Sequence, residues 1–311
     1  MLDNIIILIE VSQIRLPLNH QKSELEKALF RKLRVSQDKI FTWKIHRCSI
    51  DARKKGSPDI RLVYTIHVDA GPAEQSIVSK TKSSDIKIAK NTAFKTAKAT
   101  SKSRCQNPLI IGAGPCGYFA ALYLARLGAC PIILERGKEA GPRARDVTKF
   151  WREGGEIDPE SNVQFGEGGA GTFSDGKLYT GIKDRDGAVR LVLEELASHG
   201  APSNILFKGK PHIGTDKLIK VLRSIRKEIL NLGGQIKFQS RVDDIIIESD
   251  SIAGVRTSSG EELNSQNVIL AVGHSARDTF EMLHRHGIQM QSKSFSIGAR
   301  IEHPQKMIDI S

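Results

Sequence analysis

The sequence predicts an α/β fold, in which a parallel sheet with helices and a β-meander follows a small α+β module. Three patterns lead to this prediction. An apolar run is followed directly by glycines spaced G-x-G-x-x-G, and then by small residues at the spacing of a helix. A second apolar run then ends in an acidic residue, and the N-terminal segments alternate apolar with polar residues. Strand, helix and strand in this order are typical of a parallel sheet, whereas strict alternation indicates half-buried strands.

The N-terminal unit, residues 1–75, is predicted as a basic β-α-β-β module. Pro17 and Pro58 mark element boundaries. In the last strand Ile60, Leu62 and Tyr64 alternate with polar neighbours, which is the pattern of a strand with one buried face. The predicted strands cover residues 4–13, 40–48 and 60–68, and the helix covers residues 21–33.

Residues 76–106 are predicted as a lysine-rich linker. They hold eight basic residues and a single acidic one, Asp85. The net charge of +12 belongs almost entirely to the N-terminal third of the chain, with 21 Lys and Arg against 10 Asp and Glu through Asn107 and 26 against 25 beyond it. Such a field can attract nucleic acid or an acidic partner, and a solvated surface with a charged linker explains it equally well.

The glycine motif predicts a dinucleotide-binding, Rossmann-like domain over residues 107–292. Gly112 permits a tight turn, Gly114 lets a diphosphate approach the main chain, and Gly117 lets the helix pack on the strand. The helix N-terminus offers unpaired N–H groups to the phosphates. Glu135 lies 23 residues after Gly112 and can accept hydrogen bonds from a ribose diol. A glycine-rich turn that binds nothing is the alternative.

The remaining elements of this domain are predicted from periodicity. A second G-x-G-x-x-G at Gly166, Gly168 and Gly171 is followed by turn residues, so no second dinucleotide fold is inferred there. Thr215 is expected to be the N-cap of a helix that stops at Gly233. Another helix is predicted at residues 188–198, and strands at 204–207, 235–239, 242–248, 252–257 and 267–272. The strands at 242–248 and 252–257 are expected to form a meander, with turns at 250–251 and 258–260.

Composition favours a cytoplasmic protein without a membrane span. No apolar run approaches the roughly 18–20 residues that a bilayer requires, and the N-terminal apolar run reads as a strand rather than a signal peptide. Cys48, Cys105, Cys116 and Cys130 form no C-x-x-C pair, so neither zinc spacing nor a redox dithiol is indicated. Cys116 is read as a packing residue of the glycine loop, with a reactive thiol as the alternative.

Three longer segments resemble one family. Residues 165–177, 210–216 and 271–278, together with residues 49–54, are similar to the uncharacterised FAD-dependent dehydrogenases, whose FAD-binding half is glutathione-reductase-like. This resemblance covers nearly the whole chain. It implies a Rossmann-like FAD-binding domain and a dehydrogenase that transfers hydride through the flavin.

The resemblance also implies a set of FAD-binding residues. The adenosine ribose is expected at Glu135, the adenine at the main chain of Val242, and the pyrophosphate at the glycine loop and near Gly273. Gly168, Gly169 and Thr172 are expected near the flavin. The full set comprises Gly112, Ala113, Gly114, Pro115, Cys116, Gly117, Glu135, Arg136, Arg143, Gly168, Gly169, Thr172, Val242, Ala271 and Gly273.

Family members run well past Ser311, so residues 293–311 are expected to begin a truncated substrate domain, opening with a strand at 295–301. A second segment that closes the flavin site in relatives is then expected to be missing. No catalytic side chain is assigned, because the flavin supplies the hydride chemistry. Lys177 is a candidate for a positive charge near the flavin, His274 for an acid/base or a phosphate ligand, and Arg143 and Arg145 for pyrophosphate ligands, each with a structural alternative. His212 is read as a structural turn residue, and Asp175 and Asp278 as turn and helix-cap residues rather than catalytic acids.

Three functional hypotheses follow. The first is a FAD-dependent oxidoreductase of unknown small-molecule substrate, with NAD(P)H as a candidate electron donor but no dedicated NAD(P)H domain. The second is a flavoprotein that acts on RNA through the basic module, for which few aromatic residues are present. The third is a non-catalytic nucleotide-binding remnant. No metal cluster with ligand spacing, no membrane association and no oligomeric state is inferred.

Overall fold

The computed structural model describes residues 8–53, 59–90, 94–97, 107–173, 176–178, 180–295, 297–299 and 301–310. Within these residues the strands form three sheets: one in the N-terminal module, one parallel sheet and one meander. The predicted mixed α/β architecture with a parallel sheet is therefore present.

The N-terminal module is a β-α-β-β-α-β unit. Its elements are β1 Ile9–Pro17, α1 Lys22–Leu33, β2 Thr42–Asp51, β3 Arg61–Asp69, α2 Glu74–Thr81 and β4 Ile86–Ile88. The antiparallel sheet has the order β2-β3-β1-β4. Alternate strand residues such as Val11, Ile66 and Val68 are buried against Leu29 and Ile77 of the two helices. The opposite sheet face carries polar side chains because successive strand residues point to opposite sides.

Two elements of this module lie where the sequence predicted a charged linker. Helix α2 continues to Thr81, and β4 pairs with β1 through Ile86, Lys87 and Ile88. The sequence did not predict these two elements because lysines dominate the composition here, while the stretch is anchored in the module core by Ile77 and Ile86. The described residues 94–97 carry no helix or strand. The rest of the predicted linker from 91 onwards, including Cys105, lies outside the described residues.

The parallel sheet has the order β11-β5-β6-β7 and is built from short strands: β5 Leu109–Ile111, β6 Ile132–Leu134, β7 Gln235–Lys237 and β11 Val268–Leu270. Ile110 and Ile133 face the helices α3 Pro115–Arg126, α5 Ala188–Ser198 and α6 Thr215–Asn231. Leu109, Ile111 and Leu134 face the other side, where the meander and α7 Arg277–Arg285 pack. Helix α4 Ala140–Glu153 follows β6. Helices on one face and a meander on the other bury both sides of the sheet.

The meander has three strands, β8 Val242–Glu248, β9 Ser251–Thr257 and β10 Glu262–Asn264. The sequence predicted the first two and missed β10. The β8–β9 turn lies at Ser249 and Asp250, one residue earlier than expected, and both have positive φ, of 47° and 61°. Two consecutive left-handed residues are the geometry of a tight hairpin turn of type I′.

Three further expectations are corrected. The strand predicted at 204–207 is a 3₁₀ helix, Ser203–Leu206, because its apolar residues pack as a short turn on α5. Thr215 is the first residue of α6 rather than its N-cap, which is Gly214 without a side-chain cap. The described residues of the 295–301 run form no strand, and α8 Gln305–Asp309 follows them. Residues 296 and 300 lie outside the described residues.

The two units are joined by a short main-chain ladder. The Cys48 N–H donates to the Phe207 carbonyl at 2.6 Å, and the Gly209 N–H donates back to the Cys48 carbonyl at 3.0 Å. Lys208 therefore lies beside edge strand β2 in a parallel bridge. Covering an edge strand in this way removes exposed main-chain groups that would otherwise pair with another chain.

Candidate functional site

The turn between β5 and α3 can be built only with glycines at its first and last motif positions. Gly112 has a φ of +104°, and a Cβ there would lie 2.6 Å from the Ala271 carbonyl oxygen. A Cβ at Gly117 would overlap the Gly112 carbonyl oxygen and press on Ile110. These two glycines therefore serve the close packing of α3 on β5 and β11, as the motif predicted.

Gly114 has a different environment. It is the N-cap of α3 with an extended backbone (φ −72°, ψ −178°), and no side chain caps the helix. A Cβ there would have no non-neighbouring protein atom nearer than 4.0 Å. The first intrahelical bond runs from the Tyr118 N–H to the Gly114 carbonyl at 3.0 Å, so the N–H groups of Cys116 and Gly117 precede the helical ladder. This corner is open to an anion.

The open corner faces a cleft of about 530 Å³. The cleft lies at the carboxyl ends of β5, β6 and β11, where open parallel sheets bind ligands. Ten of the expected FAD-binding residues line it: Gly112, Gly114, Pro115, Cys116, Glu135, Arg136, Gly169, Val242, Ala271 and Gly273. Ala113, Gly117, Arg143, Gly168 and Thr172 are not among the lining residues.

The carboxylate of Glu135 is held by main-chain groups. Its Oε2 accepts from the Ala113 N–H at 2.7 Å, and its Oε1 accepts from Gly137 at 2.8 Å and Gly166 at 2.9 Å. Only 4% of Glu135 is exposed. It therefore fixes the glycine loop to the end of β6 and to the loop at Gly166, a structural role that the sequence did not predict. Because each oxygen can accept two bonds, Oε2 retains one acceptor position.

Arg136 lies at the rim of the cleft and is occupied by acidic partners. Its guanidinium pairs with Glu160 at 2.8 Å and with Asp278 at 2.8 Å, and it stacks over the Phe165 ring at 4.2 Å. These contacts tie the first turn of α7 to the loop at 160–165. Asp278 was expected to be a helix-cap residue, but it is the second residue of α7, whose N-cap is Ala276; its carboxylate accepts from the Thr279 N–H at 2.9 Å.

Arg143 is fully buried on α4 instead of facing the cleft. Its Nε donates to the Asn162 carbonyl at 2.8 Å, and one terminal nitrogen donates to the carbonyls of Gly166 at 3.2 Å and Glu167 at 2.7 Å. Burial lowers the pKa of Arg143 to about 10. The second terminal nitrogen has no hydrogen-bond partner among the described residues. Arg143 thus supports the loop that closes the cleft.

The loop that contains Gly166 and Glu167 continues through Gly168 into a 3₁₀ helix, Gly169–Phe173. The Gly168 N–H donates to the Ala113 carbonyl at 2.8 Å, and a Cβ at Gly169 would lie 3.2 Å from the Gly114 Cα. A Cβ at Gly168 would overlap the side chains of Thr172 and Leu222. The second glycine run is therefore a turn packed on the first, and the described residues directly after it, 172–173 and 176–178, form no α-helix.

A buried network behind the loop was missed by sequence reasoning. Glu167 is fully buried and accepts from the Tyr118 hydroxyl at 2.5 Å and from the Ala140 N–H at 2.7 Å. Arg226 of α6 lies 3.5 Å from the same carboxylate. Desolvation and the adjacent Glu167 hold the pKa of Tyr118 well above its usual value. No sequence signal marks Glu167, since its partners come from three different helices.

The far wall of the cleft is formed by β8 and by the turn after β11. Val242 is the first residue of β8 and is 6% exposed. Gly273 has a φ of +73° with open space at its Cβ position. His274 lines the cleft beside Ser275, 3.4 Å from its hydroxyl, and Ala276, rather than His274, is the N-cap of α7.

Of the remaining candidates, Lys177, His212 and Arg145 do not line the cleft, whereas Cys116 does. Lys177 is exposed and forms an isolated antiparallel bridge with His212, which fits the structural reading of His212. Arg145 is exposed on α4 and does not line the cleft. Cys116 is exposed at the first turn of α3 and lines the cleft, so it is not a packing residue. Asp175 lies outside the described residues.

The structure also brings together a cluster that the sequence did not reveal. Glu10 of β1, His46 of β2 and His67 of β3 offer ligand atoms that all lie within 4.8 Å of one another. The two imidazole rings stack at 3.9 Å with an angle of 10° between planes. Desolvation lowers the pKa of His46 to about 4 and also lowers that of His67. The expectation of no metal-ligand cluster considered spacing along the chain alone.

Comparison with known proteins gives matches for both units. Residues 8–69 match the family described as a domain of unknown function, DUF8436. An uncharacterized protein from Clostridium beijerinckii is 41% identical over 97% of this chain and 56% of its own length. Protein FixC of Salmonella typhi is 25% identical over 65% of this chain and 44% of its own length. The chain thus spans about half the length of the curated relatives it matches.

Solved structures with weak similarity include THI4 from Thermovibrio ammonificans and glycine oxidase from Bacillus cereus. THI4 has a TM-score of 0.39 and 16% identity, covering 59% of this chain and 64% of its own. Glycine oxidase has a TM-score of 0.32 and 15% identity, covering 59% of this chain and 58% of its own.

No helix in the described part of the chain has both the length and the apolar character that crossing a bilayer requires.

Proposed function

We propose that the cleft binds FAD and that the protein is a FAD-dependent oxidoreductase that transfers hydride through the flavin. One observation carries the proposal: the uncapped N-terminus of α3, at a glycine whose Cβ position is open, faces a cleft at the carboxyl ends of three parallel strands. The resemblance of residues 165–177, 210–216 and 271–278 to FAD-dependent dehydrogenases supports FAD over other dinucleotides. Substrate and electron donor are not assigned, and NAD(P)H is the donor to test first.

The residues present fit a diphosphate at the corner. Oxygen atoms can reach the N–H groups of Cys116 and Gly117 because Gly114 has no side chain and no non-neighbouring atom lies nearer than 4.0 Å to its Cβ position. The partial positive charge of the α3 N-terminus favours a doubly charged group there. The nearby Glu135 carboxylate does not oppose it strongly, since three N–H groups already stabilise that charge.

The adenosine half fits the wall between β6 and β8. The remaining acceptor position on Glu135 Oε2 suits one ribose hydroxyl, rather than the two that a free carboxylate could accept. Val242 and Ser240 border the same wall, and we expect the adenine edge to lie against the main chain of Val242. We therefore expect Glu135 to orient the sugar through a single hydrogen bond while it holds the glycine loop.

The flavin, when bound, supplies the hydride chemistry itself. This chain contributes the positioning: Gly169 and Ala170 border the cleft beside the α3 N-terminus, and the buried Glu167 and Arg143 hold that loop in place. His274 lines the cleft at the turn after β11, and we expect its imidazole to bind a phosphate oxygen.

The proposal is tested by nucleotide binding to the purified full chain. An absorbance spectrum and mass spectrometry of acid-released nucleotide identify anything that copurifies, and calorimetric titration then compares FAD, ADP and FMN. FAD and ADP are expected to bind because they share the adenosine diphosphate group, whereas FMN lacks it and is expected to bind much more weakly. Equal binding of FMN, or no binding of FAD and ADP, contradicts the proposal.

A further inference from the structure

The N-terminal module carries Glu10, His46 and His67 in a row across three neighbouring strands. The sheet order places β3 between β1 and β2, and Glu10 lies opposite His67 in the register. Their neighbours along β1 and β3, including Val11 and Ile66, are buried against the helices. Glu10 and His67 therefore point to the other sheet face. His46 reaches them at the register shift between Ile45 and Arg47.

The ligand atoms are close to the spacing of a metal shell. The Nε2 of His67 is hydrogen-bonded to Oε2 of Glu10 at 3.3 Å, a contact that a bound ion would replace, and one nitrogen of His46 lies within 4.8 Å of both atoms. Bonds of about 2.0–2.2 Å to Zn²⁺ place tetrahedral ligand atoms about 3.3 Å apart. The two imidazole planes are nearly parallel, so at least one ring must rotate before both in-plane lone pairs point at the same ion.

His46 is the side chain without another role in the cluster. Neither of its ring nitrogens has a hydrogen-bond partner among the described residues; its contact is the stacked ring of His67. A neutral imidazole has one nitrogen lone pair free, which is the form that metals bind.

We propose that Glu10, His46 and His67 form a binding site for a divalent transition-metal ion, with Zn²⁺ as the best match to two imidazoles and one carboxylate. Lys87 pairs with Oε1 of Glu10 at 3.1 Å and leaves Oε2, which faces His67, for the metal. Such an outer partner orients a ligating carboxylate. Three protein ligands leave a fourth position for water or a small ligand, as in open zinc sites.

The cationic side chains near the cluster set a limit on affinity. Lys44 and Arg190 oppose positive charge at the two histidines, and Lys87 shares the only carboxylate of the trio. The negative charge of Glu10 has the opposite effect and favours positive charge at His46. The site is therefore expected to bind Zn²⁺ more weakly than one with several acidic ligands, and it is independent of the FAD cleft.

The test uses the full chain after treatment with a chelator. Zn²⁺ affinity is measured by competition with a chromophoric chelator, and Co²⁺ is added to record its ligand-field absorption. We expect one equivalent of Zn²⁺ per chain and a tetrahedral-type Co²⁺ spectrum. His46→Gln and His67→Gln should each weaken Zn²⁺ binding at least about tenfold, since a ligand contributes at least as much as an outer partner.

Two further variants keep the test decisive. Glu10→Gln preserves side-chain size and should also weaken binding about tenfold or more, while circular dichroism confirms that each variant is folded. His284→Gln, an exposed histidine on α7, is the control and should bind as the wild type does. A wild-type chain that binds no Zn²⁺, or binding unchanged in the folded His46, His67 and Glu10 variants, overturns the proposal.

Discussion

Substitution of Gly114 by valine separates ligand binding from folding at the α3 corner. The φ of −72° and ψ of −178° suit a valine backbone, and the new Cβ meets no non-neighbouring atom nearer than the Ala271 carbonyl oxygen and the Gly169 Cα, both at 4.0 Å. Valine is a worse N-cap than glycine by about 1 kcal/mol, and restriction of the unfolded chain returns about 0.4–1 kcal/mol. The free energy of unfolding should therefore change by less than about 1 kcal/mol.

The effect on binding should be much larger. The valine side chain occupies the space through which a diphosphate reaches the N–H groups of Cys116 and Gly117. Each hydrogen bond to a charged group contributes about 1.5–3 kcal/mol. Loss of both weakens binding by about 3–6 kcal/mol, which is about 100-fold to 10,000-fold in Kd.

Calorimetric titration of the full chain with ADP and with FAD measures this loss, and urea unfolding measures stability. Gly181→Val is a matched control, because Gly181 also has open space at its Cβ position but does not line the cleft. That variant should bind both ligands as the wild type does. A folded Gly114→Val protein with wild-type Kd values would refute the placement of the diphosphate at this corner.

Three further predictions concern stability. In Glu135→Gln the new NH₂ group faces either the Ala113 N–H or the N–H groups of Gly137 and Gly166, so at least one of these hydrogen bonds is lost. The free energy of unfolding should fall by about 1–3 kcal/mol in urea titrations. An unchanged free energy of unfolding would contradict the structural role of the Glu135 carboxylate. In Arg143→Lys the lysine ammonium cannot reproduce the planar guanidinium that donates to three carbonyls. The free energy of unfolding should fall by about 2–4 kcal/mol, and proteolysis near residues 160–173 should be faster. Wild-type resistance to protease would contradict this prediction. The pKa of His46 is lowered in the folded state to about 4, so the unfolded chain binds more protons between pH 6.5 and 4, and stability should decrease as pH falls through that range. Urea unfolding in the presence of a chelator checks this, and His46→Gln should flatten the profile; an equally steep profile in that variant would exclude His46 as its source.

Periodic segments could be read directly from the sequence. Helix Ala188–Ser198 and strand Val242–Glu248 have the bounds that the pattern of apolar residues predicted. The glycine corner was also readable, because Gly112 and Gly117 are required by local main-chain geometry. Signals of this kind depend on residues within a few positions of one another.

Elements with few apolar anchors could not be read in the same way. Strand β4 has one buried residue, Ile86, among lysines, and it forms because β1 offers an edge to pair with. The 203–207 segment has strand-like composition, but Ser203–Leu206 turns so that Phe207 and Gly209 can bond Cys48. Tertiary pairing decided both cases.

The roles of the charged residues depended on distant main-chain groups. Glu135 and Arg143 were expected to contact a ligand, yet the loop around Gly166 supplies partners to both. Sequence spacing places a carboxylate at the end of β6, but it does not show how many N–H groups converge on it. Likewise, Glu10, His46 and His67 meet only because of the strand order and a register shift in β2.

A crystal structure of the full chain with FAD, or with ADP if FAD fails to crystallise, tests the central claim most directly. We expect the diphosphate within hydrogen-bonding distance of the Cys116 and Gly117 N–H groups, one ribose hydroxyl on Glu135 Oε2, and the adenine beside Val242. A nucleotide bound elsewhere on the chain, with the α3 corner filled by protein atoms, would contradict the account.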